Sequence, residues 1–181
     1  MDMYKLKLTR LQNEIFRLLC VKTGASLNQR AISKILKVSP TAIAKSLEEL
    51  EREKLINIKK NDLMNLNLIE LNRDGEGVIG LKRVENLRMI YESGIVDFLE
   101  KKFPGSVIIL FGSYSFGEDT IKSDIDLAII GSKEKETDIE KFENLLGREI
   151  RINFYGGFNE ISKNLRSNIF NGIVLVGRIE L

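Results

Sequence analysis

The spacing of apolar residues divides this chain into segments. Leu8, Leu11, Ile15, Leu18 and Leu19 recur at steps of three and four, which predicts an amphipathic helix ending near Thr23-Gly24. Ser26 then reads as the N-cap of a short second helix carrying Ala31, Ile32, Ile35 and Leu36. After Val38, Ser39 is placed to cap a third helix and Pro40 to occupy its first position, where a missing N–H costs nothing. That helix runs through Arg52 with Ile43, Leu47 and Leu50 on one side. Leu55 to Lys60, a polar turn at Asn61-Asp62 and an alternating stretch from Leu66 to Leu71 predict a β-hairpin.

Asn72 to Gly77 is polar and carries two glycines, so residues 72–77 are expected to link two units. Leu81, Val84, Leu87, Tyr91, Ile95, Phe98 and Leu99 then keep a helical period, predicting one linking helix over 81–103 that Pro104-Gly105 stops. Val107 to Phe111 reads as a buried strand, and Ile125 to Ile130 as a second. A helix pattern spans Ile139 to Leu146, Tyr155 to Phe158 read as a strand end and turn, and Ile173 to Val176 as a closing strand. The expected boundaries are 1–75 and 78–181.

Composition narrows the chemistry. Among 181 residues there is no histidine and one cysteine, Cys20. A catalytic imidazole, a Ser-His-Asp triad, His-ligated zinc and an internal disulfide are therefore excluded. Cys20 falls on the apolar side of the first helix and reads as an inert buried thiol. The apolar runs are too short to span a bilayer and the N-terminus shows no signal-peptide core, so the expectation is a cytoplasmic protein without a membrane partner. Residues 1–60 carry 13 Lys and Arg against 6 Asp and Glu, whereas residues 61–181 carry 15 against 20. A basic first third suits a phosphate backbone, and a solvated helix face is the plainer alternative.

The chemistry concentrates in Leu110 to Ile130. Gly112-Ser113 is followed, ten residues later, by Asp124-Ile125-Asp126. A P-loop is ruled out because Glu118-Asp119 stand where Lys-Ser/Thr is required, and no G-x-G-x-x-G is present. In a strand, Asp124 and Asp126 project from one face roughly 7 Å apart and repel each other unless a cation lies between them. Mg²⁺ with a nucleoside triphosphate answers that need. Gly112 and Ser113 are small enough to let backbone N–H groups and a hydroxyl approach phosphate. Without a neighbouring base, Ser113 reads as a phosphate contact rather than a covalent nucleophile.

Two resemblances follow from these residues. The order helix, short helix, tight turn, helix, hairpin over residues 8–72, with VSPTAIAKSLEELEREKLINI at its centre, resembles MarR/ArsR-type winged-helix domains. The resemblance implies that Ser39, Thr41, Ala42, Lys45 and Ser46 face DNA bases and that Lys59 and Lys60 sit at the wing; dimerisation or protein contact is the other use of such a unit. LFGSYSFGEDTIKSDIDLAII, with Leu145 to Ile150, resembles the minimal nucleotidyltransferases of the DNA polymerase beta superfamily over residues 82–181. The whole is then an α/β (α+β) nucleotidyltransferase domain with a small mixed sheet, preceded by a winged helix.

The second resemblance implies Asp124 and Asp126 as catalytic and metal-binding residues for Mg²⁺ or Mn²⁺. Gly112 and Ser113 would bind nucleotide, and AMP from ATP would pass to a hydroxyl. A HEPN-type protein on a separate chain is the implied acceptor, and a homodimer a further implied partner. Two positions depart from the pattern. Arg151 stands where the family places a third carboxylate, and Phe116 where many members carry a basic residue. Arg151 is expected to pair with the aspartates. Either Glu149 supplies the third metal carboxylate, or Arg151 holds the triphosphate, or the site binds nucleotide without turnover. The last option makes the chain a DNA-binding regulator that senses nucleotide.

Overall fold

Thr9 opens the first helix with reciprocal caps: its N–H donates to Gln12 Oε1 at 2.7 Å, and its hydroxyl accepts from the Gln12 N–H. In this computed structural model, which describes residues 7–61 and 66–179, helix α1 covers Arg10–Val21. It buries Gln12, Ile15, Phe16, Leu19 and Cys20. The inner stripe is thus one position over from the expected one, with Leu8, Leu11 and Leu18 half-buried at its flank.

Ser26 does not cap the second helix. Leu27–Asn28 forms a short strand, β1, whose pairing delays the helix, and Asn28 Oδ1 accepts from the Ala31 N–H at 2.8 Å to start α2, Gln29–Leu36. Ile32 is the buried residue of α2, while Ile35 is exposed. Ser39 caps α3, Pro40–Arg52, its hydroxyl accepting from the Ala42 N–H at 3.3 Å. Strands β2, Ile56–Asn61, and β3, Leu66–Leu71, pair antiparallel, and β1 adds to the far edge of β3. The turn expected at Asn61-Asp62 lies at Asp62 outside the described residues; Asn61 ends β2. Ile15, Leu19, Ile32, Ile43, Leu50, Ile56 and Ile69 are fully or almost fully buried, and each contributes about 1.5–3 kcal/mol through burial.

The chain divides into compact units at Met1–Ile79 and Gly80–Leu181. The helix expected over 81–103 is two helices, α4 at Val78–Ser93 and α5 at Ile95–Lys102. Gly94 separates them with φ +76, a left-handed conformation that only glycine adopts freely. The inward face of α4 also differs from the apolar stripe. Lys82, Asn86 and Ile90 are buried, while Val84 and Tyr91 are exposed.

The second unit is built on one mixed sheet. Strands β4, Val107–Phe111, β5, Ile125–Ile130, β6, Ile150–Tyr155, and β7, Ile173–Val176, lie in the order β6-β5-β4-β7. β5 and β6 are parallel and the other pairs antiparallel. Ile108, Leu110, Leu127 and Ile129 turn to one face, against Ile95, Leu99 and Phe103 and against Phe142 of α7, Glu140–Leu146. Ile109, Phe111, Ala128 and Ile130 turn to the other, against Ile161 and against Ile169 of α8, Lys163–Phe170. A short helix, α6, Gly112–Phe116, follows β4 directly.

Candidate functional site

The sheet register assembles the chemistry. Phe111 pairs with Asp126 and Asp126 with Arg151, so β4, β5 and β6 carry the three residues in one row. Asp124 immediately precedes β5, and Glu149 immediately precedes β6. The loop reaching Asp124 is closed by Ser123, whose hydroxyl accepts from the Thr120 N–H at 3.0 Å. At the end of β4 the backbone bends through Gly112 with φ +74, and a Cβ there would lie 2.6 Å from Asp126 Oδ2. Glycine is therefore required on two counts: the left-handed turn, and the carboxylate laid against it. Ser113 is half-buried, and its hydroxyl makes no hydrogen bond among the described residues.

Electrostatics single out Asp126. Its carboxyl holds a proton more tightly than an ordinary aspartate, first because burial penalises the charge and then because Asp124 stands nearby; Arg151 opposes both. Asp126 accepts no hydrogen bond among the described residues. Arg151 Nη2 lies 2.9 Å from Asp124 Oδ2, and its Nε lies 3.5 Å from Glu149 Oε1. The expected pairing of Arg151 with an aspartate is thus present, directed to Asp124. Glu149 does not join the aspartates as a third carboxylate. It is exposed beside Arg151, and among the described residues no three Asp, Glu, Cys or His side chains form a group able to hold a metal. Parallel pairing sets Arg151, not Glu149, opposite Asp126.

A buried polar cluster next to the site was not foreseen. Lys82 Nζ pairs with Asp119 Oδ1, both side chains essentially excluded from solvent. Asn86 Nδ2 donates to Asp119 Oδ1 at 2.6 Å and to the Tyr114 carbonyl at 2.9 Å, and Arg148 Nη2 reaches Asp119 Oδ2 at 3.4 Å. Four segments are tied together: α4, α6, the loop leading to Asp124, and the turn entering β6. The signal in the sequence is Lys82, Asn86 and Ile90 at four-residue spacing, a face that apolar periodicity does not mark because two of the three are polar.

In the first unit, Ser39, Thr41 and Lys45 are exposed and Ala42 is half-buried. Ser39 is engaged as the helix cap. Ser46 is a correction: it is 8% exposed and lies on the inner face of α3 with Ile43, Leu47 and Leu50, where it cannot meet a base edge. Lys59 forms an ion pair with Glu70 on the adjacent strand, and Lys60 is exposed. Gln29 Nε2 donates to the Pro40 carbonyl at 2.7 Å, tying the start of α2 to the start of α3. Three helices followed by a hairpin, with β1 completing a three-stranded sheet, make this unit a winged helix.

Among known proteins, residues 93–180 match the family described as polymerase beta, nucleotidyltransferase. Among solved structures, the chain is similar to a point mutant of Lactococcus lactis ZitR, at 23% identity and a TM-score of 0.43, covering 57% of this chain and 67% of that one. It is similar to the adhesin competence repressor AdcR of Streptococcus pyogenes, at 20% identity and TM-score 0.44, covering 57% and 72%. A complex of S. aureus MepR with DNA matches at 22% identity and TM-score 0.40, covering 52% and 77%. No curated protein matches the chain. Among the described residues, no helix is long and apolar enough to cross a membrane.

Proposed function

We propose, from a C-terminal domain of the polymerase beta nucleotidyltransferase type, that this protein binds a nucleoside triphosphate between Gly112 and Asp126. Its nucleoside monophosphate, AMP where ATP is bound, then passes to a hydroxyl, for which a protein partner is the preferred acceptor. The winged helix serves as a DNA-binding module. The observation that carries the reading is the close approach of Asp126 to Gly112, which lays a half-buried carboxylate that accepts no hydrogen bond among the described residues against the glycine preceding Ser113.

Asp124 and Asp126 would hold the divalent ion, Mg²⁺ or Mn²⁺. The donor set fits one ion: two adjacent carboxylates whose mutual repulsion a cation relieves, with phosphate oxygens left to complete the shell. It offers no third carboxylate for a second ion. An ion bound there would neutralise charge on the phosphates. The chain's own groups do the rest. The Ser113 hydroxyl donates a hydrogen bond to a phosphate oxygen. Arg151 exchanges Asp124 for the polyphosphate, whose oxygens match a planar guanidinium as well as a carboxylate does. The acceptor hydroxyl loses its proton to solvent as its oxygen bonds to the α-phosphorus, and pyrophosphate leaves with the electron pair of the broken P–O bond.

The test is incubation with α-labelled ATP and Mg²⁺, with and without the product of a neighbouring gene. Label on a protein that vanishes in Asp124→Ala supports transfer. A second reading, a DNA-binding regulator whose C-terminal domain senses nucleotide without turnover, is favoured by the Arg151–Asp124 ion pair. Nucleotide binding without label, and label gained in Arg151→Asp, would establish that reading instead.

A further inference from the structure

The acids of the site, Asp124, Asp126 and Glu149, have Arg151 as a cationic neighbour, and Arg151 is already paired with Asp124 and Glu149. A triphosphate tail is polyanionic and needs more positive charge than that. A second guanidinium lies against α6. Arg83, on α4, lies over the ring of Phe116 with its Cζ 5.8 Å from the ring centroid. Arg83 is exposed and makes no ion pair or hydrogen bond among the described residues. Phe116 is the last residue of α6, three positions after Ser113, so the two share a face of that turn.

Neighbouring contacts fix where this arginine emerges. Lys82, the residue before it, is fully buried against Asp119. Asn86, one turn further, binds the carbonyl of Tyr114 within α6 itself. These bonds hold α4 in one register against α6 and the loop to Asp124, and the Phe116 ring restrains the guanidinium without neutralising it. A cation held in place with its donors unspent is organised for a phosphate.

We propose that Arg83 is a phosphate-binding residue of the nucleotide site, with Phe116 as its platform. The assignment rests on the reading of Gly112 to Asp126 as a nucleoside triphosphate site. It gives Phe116 a role that its apolar character conceals: the positive charge comes from α4 instead of α6.

Titration calorimetry of the full-length protein with ATP and with AMP, both in Mg²⁺, tests it. Arg83→Gln is expected to weaken ATP binding about tenfold, the loss of one charge-assisted contact, and AMP binding much less. Phe116→Leu should give a smaller loss. Phe116→Arg placed in the Arg83→Gln background should recover most of the affinity, because the charge returns to the same face as Ser113. An unchanged melting temperature for Arg83→Gln confirms that binding, not folding, is read. Wild-type ATP affinity in Arg83→Gln, or equal losses for ATP and AMP, would overturn the assignment while leaving the nucleotide site standing. Failure of the wild-type protein to bind ATP would remove the site and the role of Arg83 together.

Discussion

Asp126 is held in the folded protein against its own charge. Its carboxyl pKa lies above the ordinary value of 3.8, through burial first and Asp124 second. The folded state therefore binds more protons than the unfolded one between those two pKa values, and stability falls as pH rises through that window. Asp126→Asn is expected to melt at a higher temperature than wild type at pH 7 while losing nucleotide transfer, with the two melting temperatures converging toward about pH 4. Arg151→Ala should act in the opposite sense at neutral pH, since Arg151 is the charge that favours ionised Asp126. A wild type as stable as Asp126→Asn at pH 7 would show that the aspartates carry no such tension. Gly112 supplies a separate test. Gly112→Ala and Gly105→Ala both place alanine at a positive φ, +74 and +80, which costs about 1–2 kcal/mol. Beside Gly105 nothing lies within 4 Å, whereas at Gly112 the new methyl meets Asp126 Oδ2. Urea denaturation should therefore show the larger loss at Gly112, and only that variant should lose nucleotide binding.

The element that ties together the segments flanking the site is α4, and it is also the one least legible in the sequence. Its apolar period, carried by Val84, Leu87 and Tyr91, pointed to the wrong face, because the helix turns Lys82 and Asn86 inward to Asp119 and the Tyr114 carbonyl. Periodicity reads burial from side-chain polarity and so misses a buried ion pair whose partner lies 37 residues away. The break at Gly94 is silent in the sequence for a related reason: the apolar spacing continues across it, and only the positive φ shows that the helix stops. Short-range signals fared better. Ser39-Pro40 started α3, and the hairpin strands follow the alternation in Leu55 to Lys60 and Leu66 to Leu71. Gly112, Ser113 and the aspartates were recognisable by spacing, whereas the direction of Arg151, toward Asp124, needed the β5–β6 register. Lys82→Met leaves Asp119 buried with one cationic partner fewer, and about 3 kcal/mol of stability should be lost. Chemical denaturation reads this directly, and Lys82→Met combined with Asp119→Asn should recover part of it. A single-site loss under about 1 kcal/mol would mean that α4 is held by apolar packing alone.

Over the whole chain the charges divide the labour: the first 60 residues hold a surplus of Lys and Arg, the remainder a surplus of Asp and Glu. An acidic unit with paired carboxylates repels a phosphate backbone, so any affinity for duplex DNA is expected to come from the basic first unit. Within that unit the structure ranks the cations. Lys45 is exposed on the second turn of α3; Lys59 is partly neutralised by Glu70; and Ser46, buried, cannot take part. The later turns of α3 carry Glu48, Glu49, Glu51 and Glu53, so any phosphate contact is expected only at the start of the helix. Binding of the full-length protein to a random-sequence duplex, followed by fluorescence anisotropy over a salt series, should therefore weaken steeply with ionic strength. Lys45→Gln is expected to reduce the slope of log affinity against log salt by about 1, Lys59→Gln by less, and Ser46→Ala not at all. An unaltered slope in Lys45→Gln would place the phosphate contacts elsewhere on the unit. Salt-independent behaviour of the wild type would assign the winged helix to protein contact instead of DNA.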